Sequence, residues 1–440
     1  MNYEGNRIFN VEPSYISTPE SSEFVTIFRN KLDGLYYGRK SDGTDEPLSP
    51  NIKVNISNTI FVDPIYGNDI TAEKYNLRKP YLTISAALAV AISGDIINLS
   101  KGTHTITSNI LNSVADFNFE PGAILQNLST SRIFIQTNGS TLNIYGQGQL
   151  LITASGAFAI ESAGSSTINI QADLIRKSTN IIGGAFLCVT AGKINAWVKE
   201  VDCSSNFLNI AECLDAGSKM VLNCDVAKFS WFGYLISSPG AGSFITANVK
   251  NTICYDMTGN AFGGTYAGIV NGGVGEITIN GDLSSANLID IPHVASGLLN
   301  IHNNGNGIIR HNGNYSKIRS RSYCRIFGSV NGKIYANSDI ENIQGGASLG
   351  LGIYLDSGLV THIGKIKTSD TNSDPVIQYS GGSLVLSDSV LIANAAAVNS
   401  INSAAPITMK VYKAFTNKVV NVNVTNSIVS TAIIVDAGVE

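Results

Sequence analysis

The sequence predicts an all-β protein: a right-handed single-stranded parallel β-helix (a solenoid) with a short N-terminal capping helix and a non-solenoid C-terminal β element. Three observations predict it. A small-residue turn followed by an alternating apolar strand recurs at a near-constant period. The stretch 61–103 reads as strand, turn-rich loop, short helix and second strand. Charged residues are only 14% of the chain, below the usual quarter, and glycine is 43 of 440. That balance suits corners built from small, turn-forming residues.

The repeat is the strongest of the three. NGSTLNI (138–144), AGSSTINI (163–170), AGKINAWV (191–198) and AGSKMVLNC (216–224) begin a series that runs to GGSLVLS (381–387). One inward residue from each gives Leu142, Ile168, Ile194, Met220, Ile245, Ile277, Leu299, Ile334, Val360 and Leu384. Their spacings are 26, 26, 26, 25, 32, 22, 35, 26 and 24. A β-patterned period of this length means stacked coils, because one coil cannot bury its own apolar face and a stack can. A β-sandwich uses hairpin turns and has no such period.

The elements follow in order. Residues 1–58 carry Pro13, Pro19, Pro47 and Pro50, with strands expected at 24–28 and 34–38, and read as a small β-hairpin module. Residues 59–140 hold the capping segment and the first coils. In the cap, Thr83 is placed to accept a backbone N–H at the helix start. Ile84, Ala87, Leu88 and Ala91 share a helical face, and Gly94 is the expected stop. Residues 141–400 form the parallel β-helix. Residues 401–440 lose the glycine corners, with strands expected at 407–413, 418–424 and 428–436, and read as a terminal β cap or trimerisation element. Such a cap would cover an open strand edge.

Bulk properties exclude several functions. The net charge of −4 offers no global basic surface, so no nucleic-acid partner is expected. The longest apolar run, Ile84–Ile92, is too short to span a bilayer, so no membrane insertion is expected. The start, MNYEGNRIFNVEP, has no apolar run behind a basic region, so no signal peptide is expected. The six cysteines have no paired spacing and read mostly as small buried hydrophobes. The five histidines are scattered, and Asp63, Asn68 and Asp69 lack EF-hand spacing, so they read as turn formers. No metal and no cofactor is expected.

In the order Ile60–Val62, the Asp/Gly loop, KPYLTISAALAVA, SGDIINL and KGT, the chain resembles the entry segment of the pectin-lyase-like right-handed parallel β-helix superfamily. GLYYGRKSDGT (34–44) is similar to segments that seat phage tail and fibre proteins on the particle. The resemblance implies a helix plugging the N-terminal end of the solenoid. It also places His104 at a packing position. With the absent signal and the unusual ends, it implies a phage tailspike or tail-fibre-like virion protein, made in the host cytoplasm. That protein would be a homotrimer, would meet other virion proteins through residues 1–58, and would bind host surface polysaccharide. The alternatives are a polysaccharide lyase or glycosidase on the same β-helix, and a purely structural virion protein.

Candidate contacts follow from two long spacings, read as inserted loops at 253–268 and 302–329. The second gathers Arg310, His311, Tyr315, Lys317, Arg319, Arg321, Tyr323 and Arg325. Guanidinium forks suit carboxylate or sulfate groups, and tyrosines suit sugar faces. A solvated edge or an intersubunit contact accounts for the same cluster. Trp197, on the outward parity of its strand, and Trp231 are further sugar platforms, or subunit contacts. Glycan cleavage on a β-helix usually needs two or more carboxylates, or carboxylates holding Ca²⁺ beside a basic residue. The offset from Glu200 or Asp202 to Asp225 is close to one period, which would stack them. No catalytic residue is fixed by this arithmetic.

Overall fold

The computed structural model describes residues 58–128, 132–153, 158–177, 183–204, 208–230, 236–237, 242–255 and 273–286. Beyond these it describes 9–11, 26–30, 36–39, 45–47, 269–271, 301–303, 305–316, 324–329, 331–343, 350–355, 357–368, 376–379, 381–392, 399–403, 407–412, 414–416, 419–421, 424–426 and 433–435. These residues form a nearly all-β parallel solenoid, consistent with a right-handed β-helix. Twenty-two strands belong to one sheet and thirteen to a second.

Stacking of like residues builds the core. In the first sheet, Leu142, Ile168, Ile194, Met220, Ile245, Ile277, Ile309, Ile334, Val360 and Leu384 pair in register from turn to turn, and all are buried. In the second sheet the matching column is Phe134, Ile160, Phe186, Ala211 and Ile236, also buried. Phe117 and Phe134 meet edge to face at 5.1 Å across the first turns.

One expected core position differs. The register places Ile309, and not Leu299, between Ile277 and Ile334. Leu299 lies outside the described residues. SGLLNI imitates the turn-then-strand signature closely enough to be mistaken for the repeat. Moving the anchor changes the neighbouring spacings to thirty-two and twenty-five residues. The extra length therefore falls before Ile301, and the cationic segment belongs to an ordinary turn, with strands Ile308–Asn312, Tyr315–Ser316 and Cys324–Ser329. The expected inserted loop at 302–329 is corrected accordingly.

The cap forms as its sequence dictates. Strand Thr59–Val62 pairs with Ile96–Leu99, and the helix Ile84–Val90 closes over them, burying Ile84 and Ala87. Thr83 Oγ1 accepts from Ala86 N at 3.2 Å. Asp69 holds the helix start, accepting from Leu82 N at 2.7 Å, Thr83 N at 3.0 Å and Thr83 Oγ1 at 2.8 Å. Asp63 and Asn68 cap turns by accepting from Ile65, Tyr66, Ile70 and Thr71 amides. The helix ends earlier than expected: Ala91 is already extended, and Gly94, at φ +87°, serves the turn that follows. His104 is buried, its Nε2 2.8 Å from the Ser100 carbonyl.

The ends complete the picture. Phe9–Val11, Thr26–Asn30, Tyr36–Arg39 and Asp45–Pro47 form a separate four-stranded sheet, with Thr26–Asn30 and Tyr36–Arg39 antiparallel. At the other end, parallel pairing continues past residue 401. Ser383–Ile392 pairs with Ile407–Val411 and Ala414–Thr416, and these with Val424–Asn426 and Ile433–Val435. The turns differ in length: Leu384 meets Met409 twenty-five residues on, and Ala414 meets Ile433 after nineteen. The turn that leads into Ile407 keeps its length but has no glycine corner, and the next turn is shorter, which together made the segment look separate in sequence.

Candidate functional site: a groove at the bend of the long strands

The groove arises from strand fusion. In an early turn, Thr141–Gly146 and Gln149–Ile152 are separate strands. They pair with the two halves of a single strand, Thr167–Lys177. The next strands, Lys193–Cys203, Lys219–Ser230, Phe244–Tyr255 and Glu276–Ala286, are also continuous. Where the halves meet the burial alternation breaks, at 173–174 and at 199–200, and the register between the last two strands shifts at Asn248/Asn251, which marks the bend. Gly281 shows how tight the bend is: its φ is +136°, and a Cβ there would lie 1.6 Å from the Val249 carbonyl oxygen.

A groove of about 540 Å³ follows this bend along the solenoid axis. One wall is a column of amides and one indole. Gln171, Trp197, Asn223, Asn248 and Asn280 stand in register on successive strands. Asn248 Nδ2 donates to Asn223 Oδ1 at 2.8 Å, Asn280 to Asn248 at 2.8 Å, and Asn312 to Asn280 at 2.9 Å. Each amide keeps one further N–H and spare carbonyl lone pairs for a ligand. Trp197 is 51% exposed, so its ring is open to contact.

The other wall carries charge in cancelling pairs. Lys199 Nζ lies 2.7 Å from Asp173 Oδ1, and Lys250 Nζ 2.5 Å from Asp225 Oδ1. Two cations thus face two carboxylates, and the groove has no net charge of its own. An indole between hydrogen-bonding amides, with charge balanced opposite, is chemistry that suits a neutral polyhydroxyl ligand.

The stacked carboxylate pair does not form. Asp225 is next to Val226, the partner of Glu200, while Asp202 pairs with Lys228. A one-residue difference in register moves a side chain to the other face of a strand. Instead, Arg176 meets Asp202 at 3.0 Å, and Lys228 meets Glu200 at 2.8 Å. On the second sheet, Glu161 and Glu212 both register on Leu187, one turn to either side. Burial raises both carboxyls above the usual range, opposed at Glu161 by Arg132, 2.6 Å away, and at Glu212 by Asn209. Inside the solenoid, burial lowers the Lys177 ammonium to about 8 and raises the Cys203 thiol to about 12. Cys188, Cys203, Cys213 and Cys224 are buried free thiols.

The sequence-derived contacts are dispersed. Trp197 lines the groove. Arg310 is exposed on the strand next to the groove's last one, four strands from Trp197 and so about 19 Å from it along the axis at the usual strand spacing. Its guanidinium lies over Tyr335, 4.8 Å from the ring centroid. His311 is fully buried in the column that holds Ile279 and Ala336. A side chain without exposed surface cannot touch a glycan, so His311 leaves the set. Tyr315 and Arg325 lie on strands of two different sheets. Lys317, Arg319, Arg321, Tyr323 and Trp231 lie outside the described residues. Sequence reading missed the amide column. Its signal was present: Gln171, Trp197, Asn223, Asn248, Asn280, Asn312 and Asn337 recur at the coil period.

Among the described residues, no group of three His, Cys, Asp or Glu side chains is placed to hold a metal ion. No described helix is long and apolar enough to cross a membrane. Comparisons with known families, curated proteins and solved structures found no match to this chain.

Proposed function

We propose that this solenoid is a glycan-binding attachment protein and that the groove at the bend is the glycan seat. The observation that carries the reading is the exposed Trp197 ring set in a column of amides opposite charge-balanced Asp–Lys pairs. The favoured ligand is a neutral, extended saccharide lying along the axis. The setting proposed for this binding is a phage-like virion appendage, a tailspike or fibre, engaging host surface polysaccharide. It rests on the pectin-lyase-like entry segment and the small N-terminal sheet. A homotrimer, and contacts of residues 1–58 with other virion proteins, belong to the same proposal.

The test is calorimetric titration with neutral and acidic polysaccharides, comparing wild type with Trp197→Ala. Losing an aromatic platform worth about 1.4 kcal/mol weakens binding roughly tenfold. Equal affinity in the two proteins would remove the groove from the reading. Preference for acidic chains would move attention to Arg310.

A second reading has one observation behind it. Glu161 and Glu212 share an outward column two turns apart, with both carboxyls raised by burial. A carboxyl raised above its ordinary range is shifted in the direction that a glycosidase's general acid requires. Release of reducing ends from a bound polysaccharide, abolished in Glu212→Gln, would favour the enzyme. Binding without release favours attachment.

A further inference from the structure

The strands that bend at the groove treat charge differently on their two halves. Beyond the bend, cations sit against carboxylates: Lys199 against Asp173 at 2.7 Å, Lys228 against Glu200 at 2.8 Å and Lys250 against Asp225 at 2.5 Å. Before the bend, nine successive turns lead from Lys193–Cys203 to Ile407–Val411. Their outward charged residues are Lys193, Lys219, Glu276, Arg310, Lys333 and Lys410. Five cations thus share a face with one carboxylate, in a chain whose net charge is −4. Among the described residues, none of these five is in an ion pair.

Four of the cations form two groups. Lys193 and Lys219 pair in register on neighbouring strands, about 4.8 Å apart at the backbone. Like charges placed directly opposite each other repel, and an anion seated between them would relieve the repulsion. Arg310 and Lys333 are diagonal neighbours, since Lys333 pairs with Ile308 and Arg310 with Tyr335. Each group has a ring. Lys219 Nζ lies over Phe244, 5.7 Å from the centroid, and the Arg310 guanidinium lies over Tyr335 at 4.8 Å. Phe244 is 44% exposed. Lys219 and Arg310 are three strands apart, about 14 Å along the axis. Thr246 and Thr278 stand between the groups in the column of Arg310 and offer hydroxyls.

The chemistry selects the ligand. Guanidinium and ammonium groups suit carboxylates and sulfates, and exposed rings beside hydroxyls suit sugar faces. The charges are too sparse for nucleic acid, whose strand carries a phosphate about every 3.4 Å. We propose that this outer face binds an anionic polysaccharide laid along the solenoid axis. Lys193 with Lys219, and Arg310 with Lys333, take two of its acidic groups, and Phe244 and Tyr335 hold sugar rings beside them. The face adjoins the groove along the Trp197 column and does not rest on it: a groove that binds no glycan leaves this proposal standing.

The experiment measures binding of the full chain to three polymers with one backbone: dextran, carboxymethyl-dextran and dextran sulfate. Single-stranded DNA is the fourth probe. An acidic dextran should bind more tightly than dextran, in a manner weakened by salt, and the tighter of the two identifies the acidic group as carboxylate or sulfate. Lys219→Gln/Arg310→Gln should weaken that binding roughly tenfold or more, with dextran binding and the urea midpoint unchanged. Lys228→Gln/Lys367→Gln removes the same charge beyond the bend and should leave the binding nearly intact. Equal affinity for the three dextrans overturns the proposal, as does an equal loss in the two double variants. Tighter binding of the DNA also overturns it, because the partner would then be a nucleic acid.

Discussion

The groove and the cap solve opposite problems on one scaffold. At the groove, the outward side chains beside Trp197 are polar and bonded to each other: amide to amide at 2.8 Å, and Lys250 to Asp225 at 2.5 Å. At the cap, polar side chains hold the turns while apolar side chains face out. A polar trough whose amides keep N–H groups and lone pairs to spare exchanges water for hydroxyl groups at little cost. An apolar face gains by excluding water. The difference teaches that one scaffold presents a hydrogen-bonding surface along its turns and an apolar one at its capped end.

The largest effect that separates the regions is steric. Gly281→Ala drives a Cβ into the Val249 carbonyl at a positive φ, and should cost about 3 kcal/mol or more. Gly94→Ala, also at positive φ, meets nothing within 4 Å and should cost only about 1–2 kcal/mol, the left-handed penalty alone. Urea unfolding of both variants measures the contrast. Equal costs would mean that the bend is not tightly packed.

A pH effect of similar size probes the column beneath the groove. Its residues Ile170, Ala196, Leu222, Ala247 and Ile279 are apolar, but beyond the groove it takes in His311 and His362. Burial holds the His362 imidazole down to about 4, although the Ser338 carbonyl favours its charged form. The unfolded imidazole titrates near 6.5. The unfolded chain therefore binds the extra proton between these values, and stability falls as pH drops from about 6.5 to about 4. The shift corresponds to roughly 3 kcal/mol. His362→Gln should remove that part of the pH dependence, as read by denaturant midpoints at pH 7 and pH 4.5.

At the cap, burial raises the Asp95 carboxyl, but hydrogen bonds from Lys74, the Ile92 amide and Tyr75 outweigh it and leave it lowered. Its contribution is present above the ordinary carboxylate range and is lost as pH falls through the lowered value. Amide exchange in Ile84–Leu99 should therefore accelerate in strong acid, and Asp95→Asn should show the faster exchange already at neutral pH. The smallest effect belongs to the groove's charged wall. Lys250 is 80% exposed, so Lys250→Ala should change stability by less than about 1 kcal/mol. A larger loss would mean that the Asp–Lys pairs are structural, and would blur the contrast with the cap.

Much of this was legible in the sequence, because stacking repeats its own pattern. The cap showed through Thr83 and its apolar helical face, and the solenoid through a period that put Ile168, Ile194 and Met220 in one column. Errors came where an imitation competed with the repeat. Leu299 carried the turn signature and displaced Ile309, which made the Arg310 segment look inserted. The carboxylate stack failed by one residue, since Asp225 is adjacent to Val226, the true partner of Glu200. The groove needs two half-strands, a bend and five successive turns together, so no single window of sequence contains it. The C-terminal strands were seen, but their pairing was hidden where the glycine corners stopped and a turn shortened.

The central claim is that Trp197 sits in a glycan seat. The chain has two tryptophans, so Trp231→Phe leaves Trp197 as the sole indole reporter. Its fluorescence should shift to the blue and saturate on titration with a bound neutral polysaccharide, in step with the calorimetric isotherm. Saturable binding with no change in Trp197 emission would contradict the claim and place the glycan elsewhere on the solenoid.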